Sequence, residues 1–181
     1  MPYMVWESLL NSPQPTAAGA AYTNSTTITD VSVAPQFTLP ANFLQAGSAL
    51  KFTAFGTYQT SGTTPTLNLG IYYGGVAGTA LAASGAVTTT NTATVNWPWR
   101  LELITTIRST GTAGTAMSQG FLGLATSLTA WTTYPVPVVA LATVTIDTTA
   151  AKALTVGATW GTAASTNTMT LHGFYVESLG A

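Results

Sequence analysis

Between Ser48 and Gly75 the side chains alternate in character. Leu50, Phe52, Ala54, Gly56 and Tyr58 share one parity, Lys51, Thr53, Thr57 and Gln59 take the other, and after Thr60 to Pro65 the rhythm resumes with Leu67, Leu69, Ile71 and Tyr73. Successive side chains of an extended chain point to opposite faces, so a period of two with one apolar parity specifies a half-buried strand. Gly62 offers a bend, and Pro65 stops the first ladder because it has no N–H to donate. The stretch therefore predicts a β-hairpin with one apolar face, closed by Gly74-Gly75.

The rest of the chain repeats this pattern. Thr26–Ala34 reads as a strand ended by Pro35. Pro40–Gly47 has proline where a helix begins and glycine where one stops, which predicts a single helical turn with Phe43 and Leu44 plugging one end of the core. Thr79–Thr90 is a short edge strand or a wandering connection. Over Thr94–Ser109, Val95, Trp97, Trp99, Leu101, Leu103 and Ile107 take the core parity, and Arg100, Glu102, Thr106 and Arg108 the other. Met117–Thr126 is a strand with Gly120 and Gly123 as bulge or close-approach points. Leu128–Pro137 reads as a long loop and Val138–Asp147 as a strand, and Leu154, Val156, Ala158 and Trp160 line the inward face of the next. The last strand, Thr168–Ser178, carries Met169, Leu171 and Tyr175 on one face and His172, Phe174 and Val176 on the other, as expected of a strand buried on both sides or touching a partner subunit.

Eight or nine such strands, with no amphipathic helix beyond a turn or two and no fixed-period repeat, define an all-β fold: an antiparallel β-sandwich of jelly-roll type over residues 24–181. Residues 1–23 form an extended N-terminal arm and linker, with Trp6, Leu9 and Leu10 on one side of a short helical turn before Pro13. Tyr3, Trp6, Leu9 and Leu10 are candidates either to pack on their own sandwich or to bind a neighbouring protein, within reach because the linker is proline-rich.

Composition narrows the partners. Only 5% of the 181 residues are charged, against roughly 25% in an ordinary soluble domain, and 46% are hydrophobic. Four basic side chains cannot neutralise many phosphates, which argues against nucleic acid as a partner, and the same shortage argues against an anionic membrane. Sheet edges are normally blunted by lysines, prolines or inward charges. With few of these available, edges and faces are expected to be covered by copies of the chain or by a larger assembly. The absence of cysteine removes disulfides and thiolate metal sites. The first ten residues lack a Sec-type signal pattern, and the longest apolar passage, Val136–Ile146, is broken by Pro137, Thr143 and Thr145, far short of a membrane span.

Motifs of catalysis are missing: there is no G-x-S-x-G elbow, no H-E-x-x-H, no phosphate loop and no dinucleotide fingerprint. A Ser-His-Asp site would have to use His172 with Asp147 or Asp30, and the acids Glu7, Asp30, Glu102, Asp147 and Glu177 lie on separate elements. No catalytic residue, cofactor or metal is therefore expected. Arg100, Glu102 and Arg108 share a strand face, as a solvated salt-bridge ladder or, with His172 and Phe174, as part of an intersubunit contact. Trp97, Trp99, Trp131 and Tyr134 are aromatic enough to stack sugars, although Trp97 and Trp99 have core parity. Asn24-Ser25-Thr26 fits a glycosylation acceptor, meaningful only on a secretory route.

The passage LPANFLQAGSALKFTAFGTYQTSGTTPTLNLGIYYGG, followed by TVNWPWRLEL and ALATVTIDTTAAKALTVGATW, resembles the small Thr/Ala/Gly-rich virion proteins of tailed bacteriophages described as head decoration or minor capsid proteins. The similarity spans most of residues 20–178, and its motifs are structural. It implies a non-enzymatic protein, made in the host bacterial cytoplasm, that clusters as homotrimers on the capsid exterior. There it would bind the major capsid protein and reinforce junctions between capsomers. Related short β-proteins also occur in tails and fibres, which leaves receptor or carbohydrate binding through Trp97, Trp99, Trp131 and Tyr134 as the alternative.

Overall fold

The computed structural model describes residues 7–11, 16–32, 36–93 and 95–179. Along these the strands are β1 (Glu7–Leu9), β2 (Tyr22–Thr23), β3 (Thr29–Asp30), β4 (Thr38–Leu39), β5 (Ala49–Gln59), β6 (Thr66–Tyr73), β7 (Thr79–Ala83), β8 (Val87–Thr88), β9 (Trp97–Ser109), β10 (Gly114–Ala125), β11 (Trp131–Val136), β12 (Val144–Ile146), β13 (Lys152–Trp160) and β14 (Thr168–Leu179). No helix occurs among the described residues, and all pairings between these strands are antiparallel. One sheet runs β1-β14-β5-β9-β10-β11, with β2 beside β14 and β12 beside β10; the other runs β3-β13-β6-β7, with β4 beside β13 and β8 beside β6. The two pack face to face as an all-β sandwich.

The hairpin expected at Ser48–Gly75 does not form, although both its strands do. β5 pairs with β14 and β9, and β6 with β13 and β7, so the connection at residues 60–65 carries the chain from one sheet across to the other. Ser61 N–H donates to Asn167 Oδ1 at 3.0 Å within that corner. Alternation dictates which side of each strand is buried and leaves its neighbour open. Crossing over lets Phe52 and Tyr58 face Leu67, Leu69 and Ile71 through a shared core, whereas a flat hairpin would leave both apolar faces on one uncovered layer. Three other stretches behave alike. β2 and β3, β14 and β13, and β9 and β7 each divide between the two sheets, and the four crossing pairs lie side by side in that order with β5 and β6 third.

The core holds Trp99, Trp160, Tyr58 and Phe52 with Leu67, Leu69 and Ile71 of β6, Leu101, Leu103 and Ile107 of β9, Leu122 and Leu124 of β10, and Leu154 and Val156 of β13, all at 2% exposure or less. Tyr58 Oη donates to the Ala125 carbonyl at 2.6 Å, and burial pushes its pKa up to about 12. Tyr73 reaches the Asp147 carbonyl at 3.0 Å, and burial raises its pKa as well.

β14 corrects the reading of a strand buried on both faces. A bulge between Leu171 and Gly173 shifts the register against β5. Met169 and Leu171 point inward before it, Phe174 and Val176 after it, and the extra residue leaves His172 exposed. Apolar residues of both parities thus line a single core face.

Other expectations also change. The helical turn proposed around Leu9 and Leu10 is a strand: Glu7–Leu9 pairs with Glu177–Leu179, because β14 would otherwise present an open edge. Pro40–Gly47 forms hydrogen-bonded turns, with Phe43 N–H on the Pro40 carbonyl, and no helix. Leu44 is buried there, but Phe43 is 40% exposed. Val95 lies outside β9 and is exposed. Residues 128–137, read as a loop, contain β11, whose Pro135 is tolerated on an edge strand. Of Val138–Asp147 only Val144–Ile146 pairs, leaving Val138, Val139 and Leu141 in an exposed loop.

Candidate interaction surface

The outward face of the larger sheet gathers Arg100, Glu102, Arg108 and His172 of the side chains singled out from sequence. Registers across β14, β5, β9 and β10 align Glu177, Lys51, Ile104 and Gln119 in one row, and Tyr175, Thr53, Glu102 and Phe121 in the next. A third row is Gly173, Phe55, Arg100 and Gly123. Lys51, Arg100, Glu102, Arg108 and Glu177 are five of the nine charged side chains, so one face of a charge-poor molecule holds most of its ions. Lys51 Nζ lies 3.0 Å from Glu177 and an Arg100 guanidinium nitrogen 2.5 Å from Glu102. Both pairs are partly exposed, which limits each to about 1 kcal/mol or less.

Between these ions the face is apolar. Phe55, Ile104 and Phe121 are exposed, and Phe55 stacks on Tyr175 with ring centroids 5.9 Å apart. Gly173 permits this, since its missing side chain leaves room for the Phe55 ring beside it. Two shallow grooves share Lys51: one of about 440 Å³ among Ile104, Arg108, Met117 and Phe121, and one of about 450 Å³ among Phe55, Arg100 and Tyr175.

The structure separates the other predicted residues. Phe174 lies in the subunit's own core, stacked on Phe52 at 6.3 Å, so it faces no neighbour. His172 is on the outward face, with Nε2 3.2 Å from Thr57 Oγ1. Neither aspartate weighed as its partner bonds it: Asp30 accepts from Ser32 and Gln36, and Asp147 from Thr149. Those bonds from Thr149 hold the Asp147 carboxyl below its usual pKa. In the arm, Tyr3 and Trp6 lie outside the described residues. Leu9 is 40% exposed, and Leu10 packs against the core of its own sandwich.

Of the four aromatics considered for sugar stacking, Trp97 and Trp99 are core residues and Tyr134 is half-buried, with its hydroxyl on the Thr88 carbonyl. Trp131 is exposed beside Leu128 and Val95 in a third groove of about 470 Å³. No group of three His, Cys, Asp or Glu side chains placed to hold a metal ion occurs among the described residues. Lys51, Glu177, Phe55, Tyr175 and Phe121 were not linked to Arg100, Glu102 and Arg108 by sequence, because strand register alone makes them neighbours.

Compared with known proteins, the chain matches no family model, no curated protein and no solved structure.

Proposed function

We propose that this chain is a structural subunit of a tailed-bacteriophage virion, a non-enzymatic protein that decorates and stabilises the capsid from outside by binding the major capsid protein lattice as a homotrimer. The observation that carries the assembly part is the exposed surface. Phe55, Ile104 and Phe121 on the sheet face, with Leu128, Val138, Val139 and Leu141 on loops, are left to solvent on a molecule with nine charged side chains to keep it dispersed. The virion part comes from the resemblance of residues 39–75, 94–103 and 140–160 to decoration proteins. We also infer jelly-roll topology from the four crossing pairs laid side by side, since a jelly roll is a ribbon of antiparallel pairs wrapped around a core.

The test is co-sedimentation of the purified chain with capsids of the phage whose genome encodes it, followed by imaging of the particles. Occupancy at a fixed number of copies per capsomer is expected. Absence from the virion, together with no capsid affinity at high micromolar concentration, would overturn the proposal.

Trp131 favours a second reading, a tail or fibre module that binds a host glycan, because its exposed indole borders the groove with Leu128. Glycan-array binding that is lost in Trp131→Ala would support it. Its expected platform is reduced, since Trp97 and Trp99 are buried.

A further inference from the structure

We propose that the outward face of β14, β5, β9 and β10 is the surface through which copies of this chain bind one another. The proposal rests on the reading of the chain as an assembly subunit, though not on that assembly being a virion.

The occupant is argued from charge. The face carries Lys51, Arg100 and Arg108 against Glu102 and Glu177, with opposite signs side by side within single rows or strands. A partner of one sign, such as a nucleic acid or an anionic bilayer, would bury the like-charged members of this set without compensation. A second copy brings the same near-balanced set and can meet each sign with its opposite. Arg108 is placed to take such a contact: among the described residues its guanidinium reaches the Met117 thioether at 3.7 Å, a weak acceptor that a neighbour's carboxylate would readily replace.

Area agrees. Four strands about 4.8 Å apart and about 37 Å long cover a footprint of about 700 Å², close to the roughly 800 Å² per partner of a standard interface. Anchors are present within it. Ile104 is 50% exposed and Phe121 40% exposed, one strand apart, while Phe55 and Tyr175 form a stacked pair toward the other side. Aromatic side chains ringed by polar groups are the composition of an interface centre.

Sedimentation velocity on the full chain tests this. The wild type should run as a multiple of its 18.6 kDa mass at micromolar concentration. The double variant Ile104→Lys, Phe121→Lys should run as a monomer, with its fold verified by circular dichroism because both side chains are already solvent-facing. Val139→Lys, in the exposed loop between β11 and β12 and so outside the four strands of the face, should keep the wild-type mass. A monomeric wild type, or an oligomer that survives the double variant, would overturn the proposal. So would a double variant that loses capsid binding while keeping its oligomeric mass, which would assign the face to the capsid protein. Capsid binding is scored separately. An oligomer dissolved by the double variant but without capsid affinity would sink the virion reading and leave this proposal standing, and a monomer that binds capsids would do the reverse.

Discussion

The indole of Trp131 lies over Gly123 on the adjacent strand, so close that a β-carbon on Gly123 would fall 2.2 Å from Nε1. Phe55 uses Gly173 in the same way, with its ring 2.6 Å from where a β-carbon would be. Two missing side chains thus let two aromatic rings settle against the outer surface of the sheet.

Gly123→Ala should therefore displace Trp131 and little else. The obstacle is a half-exposed ring on an edge strand that can swing outward, so the stability cost should stay within about 1 kcal/mol. Acrylamide quenching of tryptophan fluorescence should rise while the urea midpoint barely moves. An unchanged quenching profile would show that the indole does not occupy this position.

Gly56→Ala should behave oppositely. A β-carbon there would lie 1.9 Å from the Thr170 carbonyl oxygen, beside the bulge that returns Phe174 and Val176 to the core. Main chain held in a ladder on both sides cannot yield as a side chain can, so the loss should exceed about 2 kcal/mol. Urea unfolding measures it, and a midpoint equal to wild type would contradict the bulge geometry.

Stability should fall at high pH through Tyr58. An ordinary tyrosine ionises near 10, and burial raises Tyr58 to about 12. The folded pKa lies above the unfolded one, so the contribution is complete below pH 10 and is lost as pH rises towards 12. Urea midpoints in this window should decline, and Tyr58→Phe should flatten the decline at the expense of the hydrogen bond to Ala125. An equal decline in both proteins would rule Tyr58 out as its cause.

Asn11 should clamp the arm to β14. Its side-chain amide donates to the Phe174 carbonyl at 2.6 Å and accepts from Val176 N–H at 2.8 Å, pairing with the strand as a peptide group would. Asn11→Ala should cost about 1–2 kcal/mol and speed hydrogen exchange at the Val176 amide. Removing residues 1–11 entirely should go further, opening the β14 edge to intermolecular strand pairing that light scattering detects. Unchanged exchange in Asn11→Ala would show that the arm is not held there.

Much of the fold was legible because burial of a strand is written directly in its alternation. Leu154, Val156, Ala158 and Trp160 read as one inward face, and all four are buried. β11 escaped because Pro135 and threonines at both parities mask its alternation. β14 was misread because a one-residue bulge inverts parity midway, and the residue that faces the bulge, Gly56 on the partner strand, is far away in sequence. On the candidate surface, Arg100, Glu102 and Arg108 announced themselves by sharing one strand. Their apolar and charged neighbours on β5, β10 and β14 did not.

What the sequence by itself determined is which side of each regularly alternating strand, such as β5, β6, β9 and β13, avoids water, together with a chain nearly devoid of ions, since both depend only on residue type and a period of two. Only the tertiary structure decided that β5 and β6 belong to different sheets, that His172 faces out while Phe174 faces in, and that five of the nine charges meet on one face. The physical reason is that backbone hydrogen bonds between strands are the same for every residue except proline. Choice of neighbour and register is therefore made by the whole core closing at once.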